Sequence, residues 1–394
     1  MRKRHLSLVL LPVVAPLVLS GCVANEPAST EAASGEAIPV EITDTTCGID
    51  VNEVESGRVA FTLKNAGTVR NEFEILAEDK LRIVGERENL GPGTTTDYTL
   101  LLQPGNYYTA CKKNMVGSLV DVRPFTVTQG SGEAVSADEQ ELIDQAVVNY
   151  TAYVRDQAGQ LLEATQAFAK DYAAGNDDAA RAAYAPARMY YERIEPTAEA
   201  FGDIDPALDE READYQEADD TANREWTGWH PIEKDLWRPE GFTGWDEAKR
   251  QKLADKLVED TQQLYDLVYA DDFEITLSDI SNGAIGFLEE VATTKITGEE
   301  EAFSHTDLYD FQANVEGARV AYGNVQEIAK QKDPELADTI EARFTALEKE
   351  LDQYKEGEGY VSYEKLDEAQ RRQLSDYVDA LRVPLAKLTE AVLS

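Results

Sequence analysis

His230 and Glu233 lie three residues apart in the stretch Trp229-His-Pro-Ile-Glu-Lys-Asp-Leu-Trp237. On a helix that spacing puts both side chains on one face. Pro231 suits a first helical turn, where a missing N–H costs nothing. The spacing predicts a helix starting near His230, with an imidazole and a carboxylate aimed the same way. Carboxylates elsewhere give the pair its weight. Glu192 and Glu195 stand at i, i+3 in Tyr191-Glu-Arg-Ile-Glu-Pro196, where like charges repel unless something offsets them. Asp203, Asp205 and Asp209 follow in one short segment, and Glu289 and Glu290 interrupt the apolar run Ile285-Gly-Phe-Leu…Val-Ala292. A carboxylate in such a run is costly to bury unless it is paired or metal-bound. Several carboxylates converging on one imidazole make a mostly hard site. It suits iron, with zinc, manganese and calcium less strongly excluded.

These residues need helices to present them. From residue 136 onward Ala, Leu, Glu, Gln and Lys dominate, which favours helix. Helical stripes are expected over 139–172, from Asp177 or Asp178 to about 194, and over 245–269, 274–294, 306–331, 333–354 and 363–392, with an acidic, less regular stretch at 201–223. This pattern predicts an up-and-down bundle over 136–394, its sites built inward from facing helices.

Residues 37–128 read differently. Ile38-Pro-Val-Glu-Ile-Thr and Arg58-Val-Ala-Phe-Thr-Leu alternate in period two, and turn signals stand at Asn65-Ala-Gly67, Gly91-Pro-Gly93 and Pro104-Gly105. Seven or so short strands predict a β-sandwich, joined to the bundle by Gln129-Gly-Ser-Gly-Glu-Ala-Val-Ser136. The order Asn65-x-Gly67, then Gly105-x-Tyr107-x-x-x-Cys111-x-x-x-Met115, resembles the cupredoxin fold. That family usually binds copper with two histidines, a cysteine and a methionine. Here the histidines are His5, His230 and His305, none of them in this domain, so a His₂Cys centre cannot form. Two alternatives stand: a soft-metal site, for instance for copper, drawn from Cys47, Cys111, Met115, Glu72 and Glu74, or a Cys47–Cys111 disulfide.

The first 21 residues read as a signal peptide. Arg2, Lys3 and Arg4 precede an apolar run, Leu6 to Leu19, too short to span a bilayer. Leu19-Ser-Gly-Cys22 resembles the bacterial lipobox, which implies a lipidated Cys22 followed by a linker over 22–36. The expectation is a protein anchored by lipid outside the cytoplasmic membrane, in the cell envelope or periplasmic space. With 37 basic against 76 acidic residues and a net charge of −39, nucleic acid and anionic membrane surfaces are excluded as partners.

Ala187-Arg-Met-Tyr-Tyr-Glu-Arg-Ile-Glu-Pro196, Gly228-Trp-His-Pro-Ile-Glu233, Asn282-Gly283…Glu290 and Lys295-Ile-Thr-Gly-Glu-Glu-Glu-Ala-Phe-Ser-His-Thr-Asp-Leu-Tyr-Asp-Phe311 resemble the imelysin-like family, once classed as a peptidase family. With a lipobox and a cupredoxin-like domain upstream, the resemblance implies a non-enzymatic, extracytoplasmic iron-binding component of a ferrous/ferric iron uptake system. Its implied partners are a membrane permease and a haem peroxidase. The implied metal ligands are His230, Glu233, Glu192, Glu195, Asp209 and Glu290, with Glu289 the alternative to Glu290. The cargo would be Fe²⁺ or Fe³⁺, zinc would bind in vitro, and a second metal, copper, would sit in the cupredoxin-like domain. Arg188, Arg193 and Tyr191 would orient the acids, and His305 and Asp310 would be structural. Two other readings are a metallopeptidase, disfavoured because zinc hydrolases usually show two histidines on one helix, and a metal-dependent polysaccharide-binding protein.

Overall fold

In β1 (Ile38–Ile42) Ile38, Val40 and Ile42 are buried while Pro39 and Glu41 face solvent, the two-residue alternation of a sheet with one covered face. The computed structural model describes residues 37–130, 136–218, 221–357 and 359–394. The expected signal peptide, the expected lipidation site Cys22 and the expected linker over 22–36 lie outside the described residues. Eight more strands follow before the helices: β2 (Cys47–Ile49), β3 (Glu53–Glu55), β4 (Gly57–Asn65), β5 (Asn71–Leu76), β6 (Ile83–Leu90), β7 (Thr95–Leu102), β8 (Gly105–Lys113) and β9 (Leu119–Thr128). Their number exceeds the expected seven because β2 and β3 are three residues each, too short to show alternation.

The strands form two sheets, ordered β2-β1-β4-β7 and β3-β9-β8-β5-β6. Between them lie the rings of Phe61, Phe73 and Phe125, with centroids 5.3 and 6.1 Å from that of Phe61. Strand β5 departs from simple alternation, for all six of its residues are buried. Phe73 and Ile75 point into the sandwich core. Glu72 and Glu74 therefore point to the opposite face, which the helices cover.

The second layer comprises α1 (Ala137–Ala173), α2 (Asp177–Glu192), α3 (Glu195–Glu199), α4 (Ile204–Asp209), α5 (Glu212–Glu217), α6 (Trp229–Trp237), α7 (Glu247–Val268), α8 (Leu277–Thr293), α9 (Asp307–Lys332), α10 (Pro334–Leu351), α11 (Glu368–Leu385) and α12 (Leu388–Val392). Local signals set the ends. Ser136 and Asp246 cap α1 and α7 through N–H groups three residues on, and Thr276 with Asp279 forms a reciprocal capping box for α8. The acidic stretch expected to be irregular holds two six-residue helices, α4 and α5. The expected last helix is divided into α11 and α12.

The two layers are bonded together. Ile83 N–H donates to Ala200 carbonyl at 3.0 Å, Leu101 N–H to Ser278 Oγ at 3.1 Å, and Asn282 Nδ2 to Thr99 carbonyl at 3.1 Å. Arg87 of β6 and Glu289 of α8 form an ion pair across the same boundary. Among the described residues no helix is long and apolar enough to cross a membrane.

Candidate metal centre

Gly228 decides where α6 begins. Its φ is +88°, and a Cβ there would stand 2.0 Å from the carbonyl oxygen of Leu208. Only glycine permits that approach, and it brings the start of α6 against the end of α4. Trp229 then packs on Phe168 and Tyr184, with ring centroids 5.2 and 5.9 Å away. At the other end Asp235 accepts from Tyr172 Oη at 3.0 Å and from Trp245 N–H at 2.7 Å. A rigid α6 thus presents His230 and Glu233 from one face, both buried, with His230 only 2% exposed.

The imidazole has an acid on each edge. Nδ1 lies 3.2 Å from Glu233 Oε2, while Nε2 lies 3.4 Å from Asp209 Oδ1 and 3.9 Å from Glu300 Oε1. Glu233 is fully engaged, because its Oε1 also accepts the N–H groups of Phe303 at 2.9 Å and Ser304 at 2.6 Å. His230 Nε2 has no hydrogen-bond partner. Burial alone would lower the pKa of His230, but the carboxylates of Asp209 and Glu233 reverse this and hold it well above its ordinary value. Burial pushes Asp209 up, yet Arg188 and His230 hold it below the usual carboxylate range. Glu233, raised by burial, is brought down by His230 and the two N–H groups.

Two permanent cations sit in the same pocket. Arg188, fully buried, pairs with Glu192 and Asp209 and lies 2.8 Å from Glu301, 3.5 Å from Glu300 and 3.6 Å from Asp310. Lys295 Nζ, equally buried, lies 2.6 Å from Glu192, 3.0 Å from Glu195, 3.7 Å from Glu290 and 4.0 Å from Glu300. Asn314 Nδ2 donates to Glu192 and Glu195, each at 3.0 Å. The repulsion expected between Glu192 and Glu195 is therefore offset by a lysine. Both residues face Lys295, and with Asp209 they also form a buried set of donors within 4.8 Å of one another. Glu290 likewise faces Lys295. Its neighbour Glu289 points about 100° away around α8 and meets Arg87. Arg193 pairs with Glu316 at 2.7 Å, and Tyr191 donates to Asp205.

Glu300 and Glu301, which the sequence reading did not single out, also stand beside the imidazole. Two sets of donors lie within 4.8 Å of one another, Asp209–His230–Glu300 and His230–Glu233–Glu301. Metal–ligand bonds of about 2.0–2.2 Å require only slight contraction of such a set. The signal was the acidic run Glu299–Glu301 just before Phe303. Its significance depends on Glu233 holding the Phe303–Ser304 backbone, a contact across 70 residues. His305 lies apart, 3.5 Å from Glu364, and Asp310 faces Arg188.

In the β-domain Cys47 and Cys111 are joined, with Cα atoms 5.5 Å apart, and the bond links the two sheets. Cys111 pairs in register with Phe73 and points into the core, whereas Glu72 and Glu74 occupy the other face of the sheet. Of the two alternatives the disulfide is the one formed, and with sulfur and carboxylate on opposite faces of the strand Cys47 and Cys111 do not share a site with Glu72 and Glu74. Glu72 and Glu74 instead share Lys112, at 3.6 and 2.9 Å. Met115, with φ +62°, lines the cavity between the domains.

Residues 146–388 match the family model for imelysin, and residues 13–120 match the cupredoxin-like domain. A protein of Escherichia coli O6:H1, iron uptake system component EfeO, is 36% identical over 377 residues, 95% of each chain. The EfeO proteins of Escherichia coli K12 and Shigella flexneri are 35% identical over the same length and the same share of each chain.

Proposed function

The chain belongs to the imelysin family, and from that premise we propose that it is the iron-binding component of an iron uptake system. In this reading it is anchored outside the cytoplasmic membrane through a lipidated Cys22. It captures Fe²⁺ or Fe³⁺ in the bundle and delivers it to a permease that works beside a haem peroxidase. The names of its relatives as iron uptake components support the cargo.

One observation carries the assignment of the site: the buried Nε2 of His230, without a hydrogen-bond partner, faces the carboxylates of Asp209 and Glu300. Oxygen donors neutralise a hard cation, and one imidazole nitrogen favours iron over calcium. Glu233 belongs to the same centre as the group that orients the imidazole through Nδ1, an arrangement common behind metal-bound histidines. Glu192, Glu195 and Glu290 contribute negative charge shared with Lys295, and zinc fits the same donors in vitro.

A carrier fits this geometry better than a peptidase. The motif glutamate of a zinc hydrolase must be free to accept a proton from water. Glu233 instead holds His230 and two backbone N–H groups.

The test is anaerobic calorimetry with Fe²⁺ on the full chain, His230→Ala and Glu300→Gln. Loss of at least about a hundredfold in affinity for His230→Ala, with an unchanged helical far-UV spectrum, is the expected result. Equal affinity in all three proteins would refute the assignment.

A further inference from the structure

His230 stands behind its own acids. A cavity of about 790 Å³ lies between the two layers, and its walls include Asp209 and Glu300 but, among the described residues, not the imidazole. Nε2 lies 3.4 Å from Asp209 Oδ1 and 3.9 Å from Glu300 Oε1. The other two acids of the centre, Glu233 and Glu301, are fully buried. Cargo that comes through the cavity therefore meets Asp209 and Glu300 first. Whatever already holds those carboxylates decides whether it enters.

Arg188, Lys295 and Arg211 all lie within 4.0 Å of Glu300, and the third differs from the other two. Arg188 Nη2, at 3.5 Å, and Lys295 Nζ, at 4.0 Å, approach Oε1, the oxygen that also faces His230. Both side chains are fully buried among several acids. Arg211 takes the other oxygen, with Nη1 3.7 Å from Oε2. Its side chain lines the cavity and is 17% exposed. The guanidinium is thus on the cavity side of a carboxylate that has the imidazole on its inner side.

Arg211 is also on the segment best able to move. It is the N-cap residue of α5, a six-residue helix with no buried residue and no side-chain cap, and the backbone is extended at Arg211 and again at Ala218. Contacts near the surface tie α5 down: Glu212 with Lys234, Glu217 with Asn114, and Tyr215 with the ring of Trp226 and the carbonyl of Arg224. Such half-exposed polar pairs contribute little each. Arg211 Nε lies 2.6 Å from Asp214 Oδ2 on the same helix, a closer pair than the one with Glu300. The guanidinium can leave Glu300 and still keep a counter-ion, so its departure strands no charge on α5.

We propose that Arg211 is the gating residue of the His230 centre. It holds Glu300 while the centre is without cargo, and an incoming divalent cation displaces it onto Asp214. This rests on the reading of the inner centre given above. The ion gains Asp209, Glu300 and an imidazole nitrogen, whereas the guanidinium gives up one long ion pair. On release the exchange runs backwards: Arg211 returns to Glu300 as the ion departs, so the carboxylate always faces a cation. Arg211 therefore slows loading and lowers affinity, which suits a carrier that must hand its ion on.

The experiment uses the full chain and Fe²⁺ under anaerobic conditions, with affinity by calorimetry and loading by stopped-flow tryptophan fluorescence. The variants are Arg211→Ala and Arg211→Gln, the second keeping a polar side chain beside Asp214, and a thermal melt confirms folding. Loading about tenfold faster at low salt, with affinity raised by a similar factor, is the expected result. In a Glu300→Gln background Arg211→Ala should change both far less, because the shared partner is gone. Unchanged rate and affinity in both variants would overturn the gate and leave the inner centre standing. Weaker binding in both would make Arg211 a structural support, and an equal gain in the Glu300→Gln background would make it a general repulsive charge; either overturns the gate. Fe²⁺ bound as tightly by His230→Ala as by the parent would overturn the inner reading, whichever way the Arg211 variants behave.

Discussion

His230 Nδ1 lies 3.2 Å from Glu233 Oε2, one turn along α6, and the same carboxylate holds the backbone N–H groups of Phe303 and Ser304. Glu233 therefore ties the imidazole to the loop that carries Glu300 and Glu301. Its loss leaves three buried donors unmatched. Glu233→Ala is expected to cost about 3 kcal/mol or more in the metal-free protein, and Glu233→Gln clearly less, because an amide oxygen still accepts one or both N–H groups. Urea denaturation measures the order. Equal stabilities of the two variants would contradict it.

Metal capture should release a proton. Asp209 and Glu233 hold His230 protonated above its ordinary pKa, so an ion on Nε2 must displace that proton. Affinity accordingly rises with pH up to the raised pKa of His230 and declines in acid. Calorimetry in buffers of different ionisation enthalpy should give roughly one proton per ion from this group near neutral pH. The pH dependence should vanish in His230→Ala.

Lys295 is the buried counter-charge of Glu192 and Glu195. Lys295→Met leaves those acids uncompensated and is expected to cost about 3–5 kcal/mol. Added Mn²⁺ should then raise the melting temperature of the variant more than that of the parent, because the vacated carboxylates can hold the ion. A smaller metal effect in the variant would count against the counter-charge role.

Burial, with Glu72 beside it, pushes the Glu74 carboxyl up from 4.5 to about 8. Between those values the folded chain retains a proton that the unfolded chain has released. Stability then falls as pH rises from about 4.5 to about 8, with a slope of at most about 1.4 kcal/mol per pH unit from this residue. Glu74→Gln should flatten that part of the profile, measured as denaturation midpoint against pH.

Cys47 and Cys111 close a loop of 64 residues between the two sheets. Loop-closure entropy gives about 4 kcal/mol for a cross-link of that span. Changing both to serine should lower the unfolding free energy by about 2–4 kcal/mol. Thiol titration of the unfolded, unreduced protein should find neither cysteine reactive.

The two-layer plan was legible because it rests on short-range periodicity. Period two in Ile38–Ile42 and period 3.6 beyond residue 136 each announce a face to be buried. The His230–Glu233 pair was legible for the same reason, since three residues on a helix fix a shared direction wherever that helix ends up. Glycine spacing marked turns, but not that Gly228 alone would let α6 press against Leu208.

What only the tertiary structure decided is which charge meets which. Glu192 and Glu195 were legible as a pair needing compensation, but not that Lys295, 103 residues from Glu192, would lie beside both. Nor was it legible that Glu300 would reach the imidazole, brought there by a loop hung on Glu233. Cys111 and Glu72 are near neighbours in register but stand on opposite faces of one sheet, so a site drawn from both could not form. Local spacing sets the direction of a side chain within its own element, whereas a buried charge is satisfied by whatever packing brings within a few ångströms, and that partner is remote in the chain.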